Sequence, residues 1–394
     1  MKLADMTVNE LAGITYECSC GRTHTVDIDR VDISVDAMKH AADYLNELGV
    51  SPVTLICDEN TYEIAVRDFA GLLDEHNIDY FIHIIKGRNG LNVAPNDACL
   101  GETLARINPK SEFYIAVGSG VINDITRQIS YKMGTGYMVL ATAPSMDGYA
   151  SVTSSLILNN VKESIAGQYP KAIFGPLDIL QNAPYNMLTA GLGDVVGKYN
   201  ALREWKFGRD YKNEHHCPEI AEMVEVVVEK CRCGAGNLKN RDADTVVNIM
   251  EGLVLAGMAM GLYKNTRPAS GAEHHIVHYW DVDCIKKGIE HELHGNSVGI
   301  GTVVICRLFD LIRSELPVEV DELASEFIIE ILKKAGGMTN PREAGISREL
   351  FKESIIKGHT MSSKYTILTY LNGEKPDILE SAAETLCEEF YGII

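Results

Sequence analysis

Histidines that could bind a metal ion are concentrated in one short stretch of the sequence. Five of the 12 histidines lie between residues 274 and 294. His274 and His278 are four residues apart, so a helix would place both imidazoles on one face. Ser270 and Glu273 have the spacing of a capping box, which predicts that such a helix begins there. This spacing indicates a candidate metal site, and a chance cluster of exposed histidines is the alternative.

A second pair of histidines follows this predicted helix. His291 and His294 are close in sequence, and His294 is followed by Gly295 and a new apolar helix. Asp281 and Asp283 lie between the two pairs, where they could accept hydrogen bonds from metal-bound imidazoles. Spacing alone does not choose between His291 and His294 as a further ligand.

A metal site usually also includes a carboxylate, and Asp194 is the candidate. It lies in a run of small and apolar residues, Ala190 to Gly197, with the sequence AGLGDVVG. A carboxylate in such surroundings is costly to bury unless it is paired or bound to a metal. The alternative is that Asp194 is the N-cap of a helix from Val195 to Trp205.

A glycine-containing loop follows one of the predicted strands. Phe113 to Val117 (FYIAV) is typical of a buried strand, and it leads into GSGVIND, Gly118 to Asp124. Glycines at a strand-to-helix turn let backbone N–H groups approach a pyrophosphate, and the helix dipole favours the anion. We therefore predict a nucleotide site here, with a tight turn between packed elements as the alternative.

The next predicted strand is followed by a second polar loop. Thr142 to Ser145 (TAPS) comes directly after it, and Asp147, Tyr149 and Ser151 continue the loop. Ligands of parallel sheets bind at the carboxyl ends of the strands, so this loop belongs beside the glycine loop. A turn with internally bonded hydroxyls is the alternative.

Asp58 ends the strand predicted at Val53 to Cys57. A carboxylate at that position can accept hydrogen bonds from the ribose of an adenine dinucleotide. A helix N-cap is an equally good interpretation of the same residue.

The elements that would position these residues divide the chain into two parts. In the first, short apolar strands alternate with helices, which predicts a parallel sheet covered by helices on both faces. Val152 to Leu158 and Ala172 to Leu180 are predicted as a hairpin or edge strands. Beyond Pro184 long helical segments dominate, so we predict an α/β Rossmann-like domain with a parallel sheet and an all-α C-terminal domain. The predicted boundary places 1–180, with an N-terminal extension, in the first domain and 181–394 in the second.

Composition restricts the class of partner. The chain has 394 residues and a net charge of −19, which disfavours nucleic acid and anionic membranes as partners. It contains no apolar run of about 20 residues and no apolar leader, so we expect a cytoplasmic protein. Among its ten cysteines, Cys18 and Cys20, near His24, and the pair Cys231 and Cys233 lack the usual spacing of a four-ligand zinc site. We expect free thiols.

Taken in order, these motifs resemble a known family over nearly the whole chain from about residue 40. The glycine loop, the TAPS run, the GLGD segment ending at Asp194, the SGAEH segment and His294-Gly295 are similar to those of the iron-containing alcohol dehydrogenase and dehydroquinate synthase-like superfamily. The segments APSMDGYAS and EHHIVHYWD most resemble its bacterial glycerol-1-phosphate dehydrogenase branch. Ser119 departs from the family, which often has a third glycine there.

The resemblance implies both the cofactors and the residues that bind them. It implies NAD(H) or NADP(H), one divalent metal (Zn²⁺ or Ni²⁺) and a homodimer. The implied metal ligands are Asp194, His274 and His294, and the same three residues are the implied catalytic residues. Asp147, Asp194 and His278 match substrate-contacting positions. The implied cofactor-binding residues are Asp58, Gly118, Gly120, Val121, Ile122, Asn123, Asp124, Thr142, Ala143, Pro144, Ser145 and Ser151.

The implied reaction is the reduction of a small phosphorylated ketone, dihydroxyacetone phosphate, to sn-glycerol 1-phosphate. A Lewis-acidic metal would polarise the carbonyl while the nicotinamide delivers a hydride. Candidates for binding the phosphate are Lys162, Lys171, Arg203 and Lys206. The alternatives are a dehydrogenase of unphosphorylated polyols such as glycerol, a lyase like dehydroquinate synthase, and a nucleotide-binding protein without catalysis.

Overall fold

A parallel sheet of six strands forms the first part of the molecule. The computed structural model describes residues 2–88 and 91–392. The strands of the described residues, inside and outside this sheet, are β1 (Thr15–Glu17), β2 (Thr23–Thr25), β3 (Arg30–Ser34), β4 (Val53–Asp58), β5 (Tyr80–Ile85), β6 (Phe113–Gly118), β7 (Gly136–Ala141), β8 (Thr153–Leu158), β9 (Val161–Ala166) and β10 (Ala172–Pro176). The six-stranded sheet has the order β3-β10-β7-β6-β4-β5, and all of its neighbours are parallel.

Helices cover both faces of this sheet. They are α1 (Val8–Leu11), α2 (Ala37–Leu48), α3 (Glu59–Thr61), α4 (Arg67–Glu75), α5 (Asp97–Arg106) and α6 (Gly120–Met133). Alternate residues of β6 enter two different cores: Ile115 packs with Phe69 of α4, and Tyr114 packs with Ile125 of α6. Because both faces are covered, the central strands are almost entirely apolar, as the sequence pattern indicates.

Two of the predicted strand regions are arranged differently from the prediction. Ala172 to Leu180 was expected to supply a hairpin or an edge strand, but β10 lies inside the sheet, hydrogen-bonded to β3 and β7. Its five residues are all buried, which an interior strand requires. The hairpin is formed instead by β8 and β9, which pair antiparallel.

Helices make up the described chain from Leu177 to Tyr391, and that part contains no strand. They are α7 (Leu177–Asn182), α8 (Tyr185–Lys212), α9 (Pro218–Gly234), α10 (Ala243–Tyr263), α11 (Ala272–Lys287), α12 (His294–Leu311), α13 (Ser325–Lys334), α14 (Arg348–Lys357), α15 (Ile367–Glu374) and α16 (Pro376–Tyr391). The predicted fold class, a Rossmann-like α/β part followed by a helical part, is confirmed. The boundary at residue 180 stays a prediction.

One helix, α10, is long and apolar enough to cross a membrane, but 72% of its apolar window is buried inside the protein. It is a central helix of the core, where Leu253, Val254 and Met258 are fully buried. The N-terminal segment packs beside it, because the hairpin of β1 and β2 lies against α9 and α10.

Candidate active site and metal centre

Helices α8 and α12 approach each other closely through glycines. A Cβ added to Gly295 would lie 1.9 Å from the carbonyl oxygen of Ala190. A Cβ on Gly193 would lie 2.3 Å from the carbonyl oxygen of Gly295. The backbones of α8 and α12 are therefore in direct contact. This contact brings Asp194 of α8 close to His294, the first residue of α12.

Asp194 lies inside α8, so its interpretation as an N-cap is wrong. The glycines around it serve close helix packing and do not mark a helix start. Its side chain is fully buried, and Oδ2 accepts a hydrogen bond from the backbone N–H of Asp147 at 2.9 Å. Lys198, one turn further along α8, donates from Nζ to Asp194 Oδ1 and to Asp147 Oδ2, both at 2.6 Å. Burial alone would lower the pKa of Lys198, but these two carboxylates raise it above its ordinary value.

Three histidine rings gather beside this carboxylate pair. The ring centroid of His274 lies 6.1 Å from that of His278 and 5.4 Å from that of His294, and the last two are 5.7 Å apart. His274 Nδ1 is 2.7 Å from Glu273 Oε1, while its Nε2 lies 3.8 Å from Asp194 Oδ1. The carboxylate of Glu273 therefore fixes the proton on Nδ1 and leaves the Nε2 lone pair facing Asp194.

The chemistry of these groups fits a divalent metal ion. One ligand atom each from Asp147, Asp194 and His274 lies within 4.8 Å of the others. Burial lowers the pKa of His274 and of His294, so both imidazoles are neutral, the form that binds metals. His294 Nδ1 is buried and has no hydrogen-bond partner in the part of the chain that the structure describes. Carboxylates combined with imidazoles suit zinc, iron or nickel.

His278 and His294 adjoin a buried ion pair. Lys162 of β9 donates from Nζ to Asp281 Oδ2 at 2.6 Å, and that oxygen lies 4.0 Å from His294 Nδ1. Burial would raise the pKa of Asp281, but Lys162 and the neighbouring histidines hold it well below its usual range. The pKa of His278 is lowered well below its ordinary value by burial, and Lys162 adds to the effect. Lys162 is therefore the phosphate candidate that adjoins these rings.

The other three phosphate candidates have partners of their own elsewhere. Lys171 pairs with Asp27 at 3.0 Å, and Lys206 pairs with Asp321 at 2.7 Å. Arg203 is buried, with its guanidinium 3.8 Å from the centroid of the Phe309 ring.

Two neighbouring features bear on the interpretation of the sequence. His291 is exposed, and its Nδ1 bonds the carbonyl of the adjacent Glu292 at 2.7 Å. The predicted helix start is confirmed, since α11 begins at Ala272, but the capping box is wrong because Gly271 and not Ser270 is the N-cap. The Oγ of Ser270 instead accepts a hydrogen bond from Lys364 at 2.6 Å. Glu273 still bonds the N–H of Gly271, which holds the start of the helix beside Asp194.

The predicted cofactor residues lie at the carboxyl ends of β4, β6 and β7. The two strands that follow β4 in the chain lie on opposite sides of it in the sheet, β5 on one side and β6 on the other. Such a reversal opens a crevice at the carboxyl ends of the strands, where nucleotides bind in folds of this kind. Asp58 ends β4 there, and it also caps α3, because its Oδ1 accepts the N–H of Thr61 at 2.7 Å.

In the glycine loop, Gly118 ends β6 and Gly120 begins α6. Ser119 has φ −109° and ψ −150°, a conformation open to any residue, so the third glycine of the family is not needed for the backbone here. Asp124 is held internally: its Oδ1 bonds Arg127 at 2.6 Å and its Oδ2 bonds the N–H of Ser155 at 3.1 Å. Burial raises the pKa of Asp124 to about 6.

The remaining residues of this loop have mixed surroundings. Val121 lies partly exposed at the start of α6, whereas Ile122 and Asn123 are buried. Asn123 Nδ2 donates to the carbonyl of Gly148 at 3.1 Å, which ties α6 to the second polar loop.

The second loop connects the crevice at the strand ends to the candidate metal ligands. Thr142, Ala143 and Ser145 are buried. The loop also lies close to α8, because a Cβ added to Gly191 would be 1.9 Å from the carbonyl oxygen of Pro144. The Oγ of Ser151 donates a hydrogen bond to the carbonyl oxygen of Thr153 at 3.0 Å. The loop therefore packs against α8 and places Asp147 next to Asp194.

Sequence reasoning missed two charged groups of this site. Lys198 had a local signal, because it is four residues after Asp194 in a helix and so lies on the same face. Lys364 had none: it reaches Ser270 from a segment 94 residues away. Burial lowers the pKa of Lys364 to about 8.

Comparison with known proteins identifies the family. A family profile described as iron-containing alcohol dehydrogenase matches residues 32–184. A glycerol-1-phosphate dehydrogenase [NAD(P)+] of Halalkalibacterium halodurans is 30% identical over 91% of this chain and 96% of its own length. One of Pyrococcus furiosus is 31% identical over 81% of this chain and 86% of its own. The chain belongs to the glycerol-1-phosphate dehydrogenase family. It is accordingly an NAD(P)-dependent dehydrogenase of the iron-containing alcohol dehydrogenase type.

Solved structures share the fold of this family member. An iron-containing alcohol dehydrogenase from Thermococcus thioreducens aligns with a TM-score of 0.69 at 13% identity, over 93% of this chain and 99% of that one. A probable glycerol dehydrogenase from Sinorhizobium meliloti gives 0.68 at 16% identity, over 93% and 98%. At these identities the likeness concerns the fold alone.

Proposed function

We propose that the protein reduces dihydroxyacetone phosphate to sn-glycerol 1-phosphate with NADH or NADPH, in a metal-dependent reaction. The observation that carries the proposal is the convergence of Asp194, His274 and His294 beside the cations Lys198 and Lys162. Relatives that align over most of this chain are named glycerol-1-phosphate dehydrogenase, which supports the same substrate.

Asp194, His274 and His294 would hold a divalent metal, Zn²⁺ or Ni²⁺. When bound there, the metal supplies Lewis-acid polarisation of the substrate carbonyl. Asp147 contributes a further carboxylate within reach, and Glu273 keeps His274 in the required tautomer. These ligands leave room for substrate oxygen, which a catalytic site requires.

The nucleotide is proposed to lie across the crevice formed by the glycine loop, the TAPS loop and Asp58. Backbone N–H groups at the start of α6 face the pyrophosphate, which the helix dipole stabilises. Asp58 bonds the ribose with the carboxylate oxygen that does not cap α3. The part of the loop near Asp147, where it reaches α8, would hold the nicotinamide.

Reduction of the ketone adds a hydride to C2 and a proton to the C2 oxygen, and a bound nicotinamide would supply the hydride. His278 is neutral, so it can donate one N–H to the substrate and accept a proton on the other nitrogen. This makes it a group that orients the substrate or relays a proton. Lys162 is positioned to pair with the phosphate of the substrate.

The decisive assay compares NADH oxidation with dihydroxyacetone phosphate and with dihydroxyacetone. We expect turnover only with the phosphorylated ketone, and a product that an sn-glycerol-3-phosphate-specific dehydrogenase does not oxidise. Preference for dihydroxyacetone would instead indicate a polyol dehydrogenase. Absence of net NADH turnover with both would favour a lyase or a nucleotide-binding protein and overturn the proposal.

A further inference from the structure

A cluster of three cysteines and one histidine lies outside the residues assigned to the reaction. Cys18, Cys20 and His24 belong to the N-terminal hairpin, and Cys217 immediately precedes α9. One ligand atom of each residue lies within 4.8 Å of all the others. The two segments are 199 residues apart in sequence, so the fold assembles the cluster.

The turn of the hairpin presents the first three ligands. The N–H of Cys18 bonds the carbonyl of Arg22 at 3.1 Å, and the N–H of Gly21 bonds the carbonyl of Cys18 at 3.0 Å. Gly21 has φ +85°, a conformation that favours glycine and lets the chain reverse tightly. Both thiols of this turn consequently lie on the side that faces α9.

Three of the separations within the cluster are close to those of tetrahedral coordination. Cys18 Sγ lies 3.5 Å from Cys217 Sγ, and His24 Nε2 lies 3.3 Å from Cys20 Sγ and 3.5 Å from Cys217 Sγ. Zinc bonds of about 2.3 Å to sulfur and about 2.0 Å to nitrogen give ligand separations of roughly 3.5 to 3.8 Å. A disulfide would need sulfurs about 2.05 Å apart.

His24 is oriented as metal-binding histidines are. It is 1% exposed, and its Nδ1 donates to the carbonyl of Leu262 in α10 at 2.7 Å. That bond fixes the proton on Nδ1 and directs the Nε2 lone pair at the thiols. Cys217 is fully buried, so the cluster has an interior side closed by the helical core and an outer side closed by the hairpin.

We propose that Cys18, Cys20, His24 and Cys217 bind a structural zinc ion that fastens the N-terminal hairpin to the start of α9. Four protein ligands close the coordination shell, so the site has no open position for a substrate. Three thiolates and one imidazole favour zinc over magnesium or calcium. Without the ion, the hairpin is held by hydrogen bonds such as that from Ser19 Oγ to Glu219 Oε1, at 2.7 Å.

The test separates this site from the candidate active site by its thiolate ligands. Protein produced with cobalt in place of zinc should show a sulfur-to-cobalt charge-transfer band, to which Asp194, His274 and His294 cannot contribute. The band should persist in His274→Ala and disappear in Cys217→Ser. Measured by elemental analysis, zinc should fall by one equivalent per chain in Cys217→Ser and in Cys20→Ser.

Cys233→Ser is the matched control, because Cys233 is an exposed thiol on the same helix, α9. It should retain all the zinc and the charge-transfer band. If the cluster variants do not fold, the cobalt spectrum of the unsubstituted protein decides. A spectrum without thiolate bands, or a mass corresponding to a Cys18–Cys217 disulfide in freshly purified protein, would overturn the proposal.

Discussion

Replacing Gly295 with alanine examines the contact that brings α8 and α12 together. The new Cβ would lie 1.9 Å from the carbonyl oxygen of Ala190, whereas carbon and oxygen in contact need about 3.3 Å. The helices must therefore separate locally by about 1 Å or more. Overpacking of this kind costs about 1 to 3 kcal/mol of folding stability. His294, a proposed metal ligand, is the adjacent residue, and a displacement of about 1 Å at an active-site group would lower turnover by roughly a hundredfold.

Thermal unfolding, metal content and turnover should be measured on the same preparation of Gly295→Ala. We expect a lower apparent Tm, weakened metal binding and turnover reduced by about two orders of magnitude. Gly101→Ala in α5 is the matched control, since a Cβ there would meet no atom within 4 Å. It should gain up to about 1 kcal/mol of stability and keep full activity. Gly295→Ala with unchanged metal affinity and turnover would refute the positioning role of this contact.

Three further substitutions examine the metal, the substrate and the cofactor in turn. Asp194→Asn should lose metal and activity together, while circular dichroism shows an intact fold. His291→Ala, at an exposed residue, should keep both the metal and the activity. Full metal content in Asp194→Asn, or an empty site in His291→Ala, would contradict the ligand assignment. Lys162→Ala should raise the KM for dihydroxyacetone phosphate by about 10- to 100-fold, the value of a charge-assisted hydrogen bond, whereas Lys206→Ala should leave it unchanged. Equal effects of the two would remove Lys162 from the phosphate role. Asp58→Gly should relax a preference for NADH over NADPH, measured as the ratio of the two kcat/KM values, and an unaltered ratio would speak against ribose binding.

The strands of the sheet could be predicted closely because their signal is local. VTLIC, FYIAV and YMVLA are apolar except for Thr54, and β4, β6 and β7 cover these segments with one residue added. The place of β10 within the sheet could not be predicted in this way. Strand order depends on which surfaces pack across the whole domain, and AIFGP carries no local mark of its neighbours.

The site was predictable where its residues share a helix and less so where they do not. The four-residue spacing of His274 and His278 anticipates two rings on one face, as the structure shows. The capping box failed because the N-cap of α11 is Gly271, one residue after Ser270, and Ser270 bonds Lys364, a partner that sequence spacing does not reveal. Cys18 and Cys20 lacked visible partners for the same reason, since Cys217 joins them only through the fold.

The balance of charge at the candidate metal centre bears on the choice of substrate. Asp147 and Asp194 contribute two negative charges and Lys198 one positive charge, while Glu273 and Lys364 add one charge of each sign. The neighbouring histidines are neutral because burial lowers their pKa. Asp281 and Lys162 cancel each other. The protein groups alone therefore leave a negative site, which would repel a phosphate ester carrying about −1.5 to −2 charges. A divalent cation held by Asp194 reverses the sign, so the same ion that activates a carbonyl would also admit an anionic substrate. With the ion bound, the charge balance of the site is therefore compatible with the phosphorylated ketone of the proposed reaction.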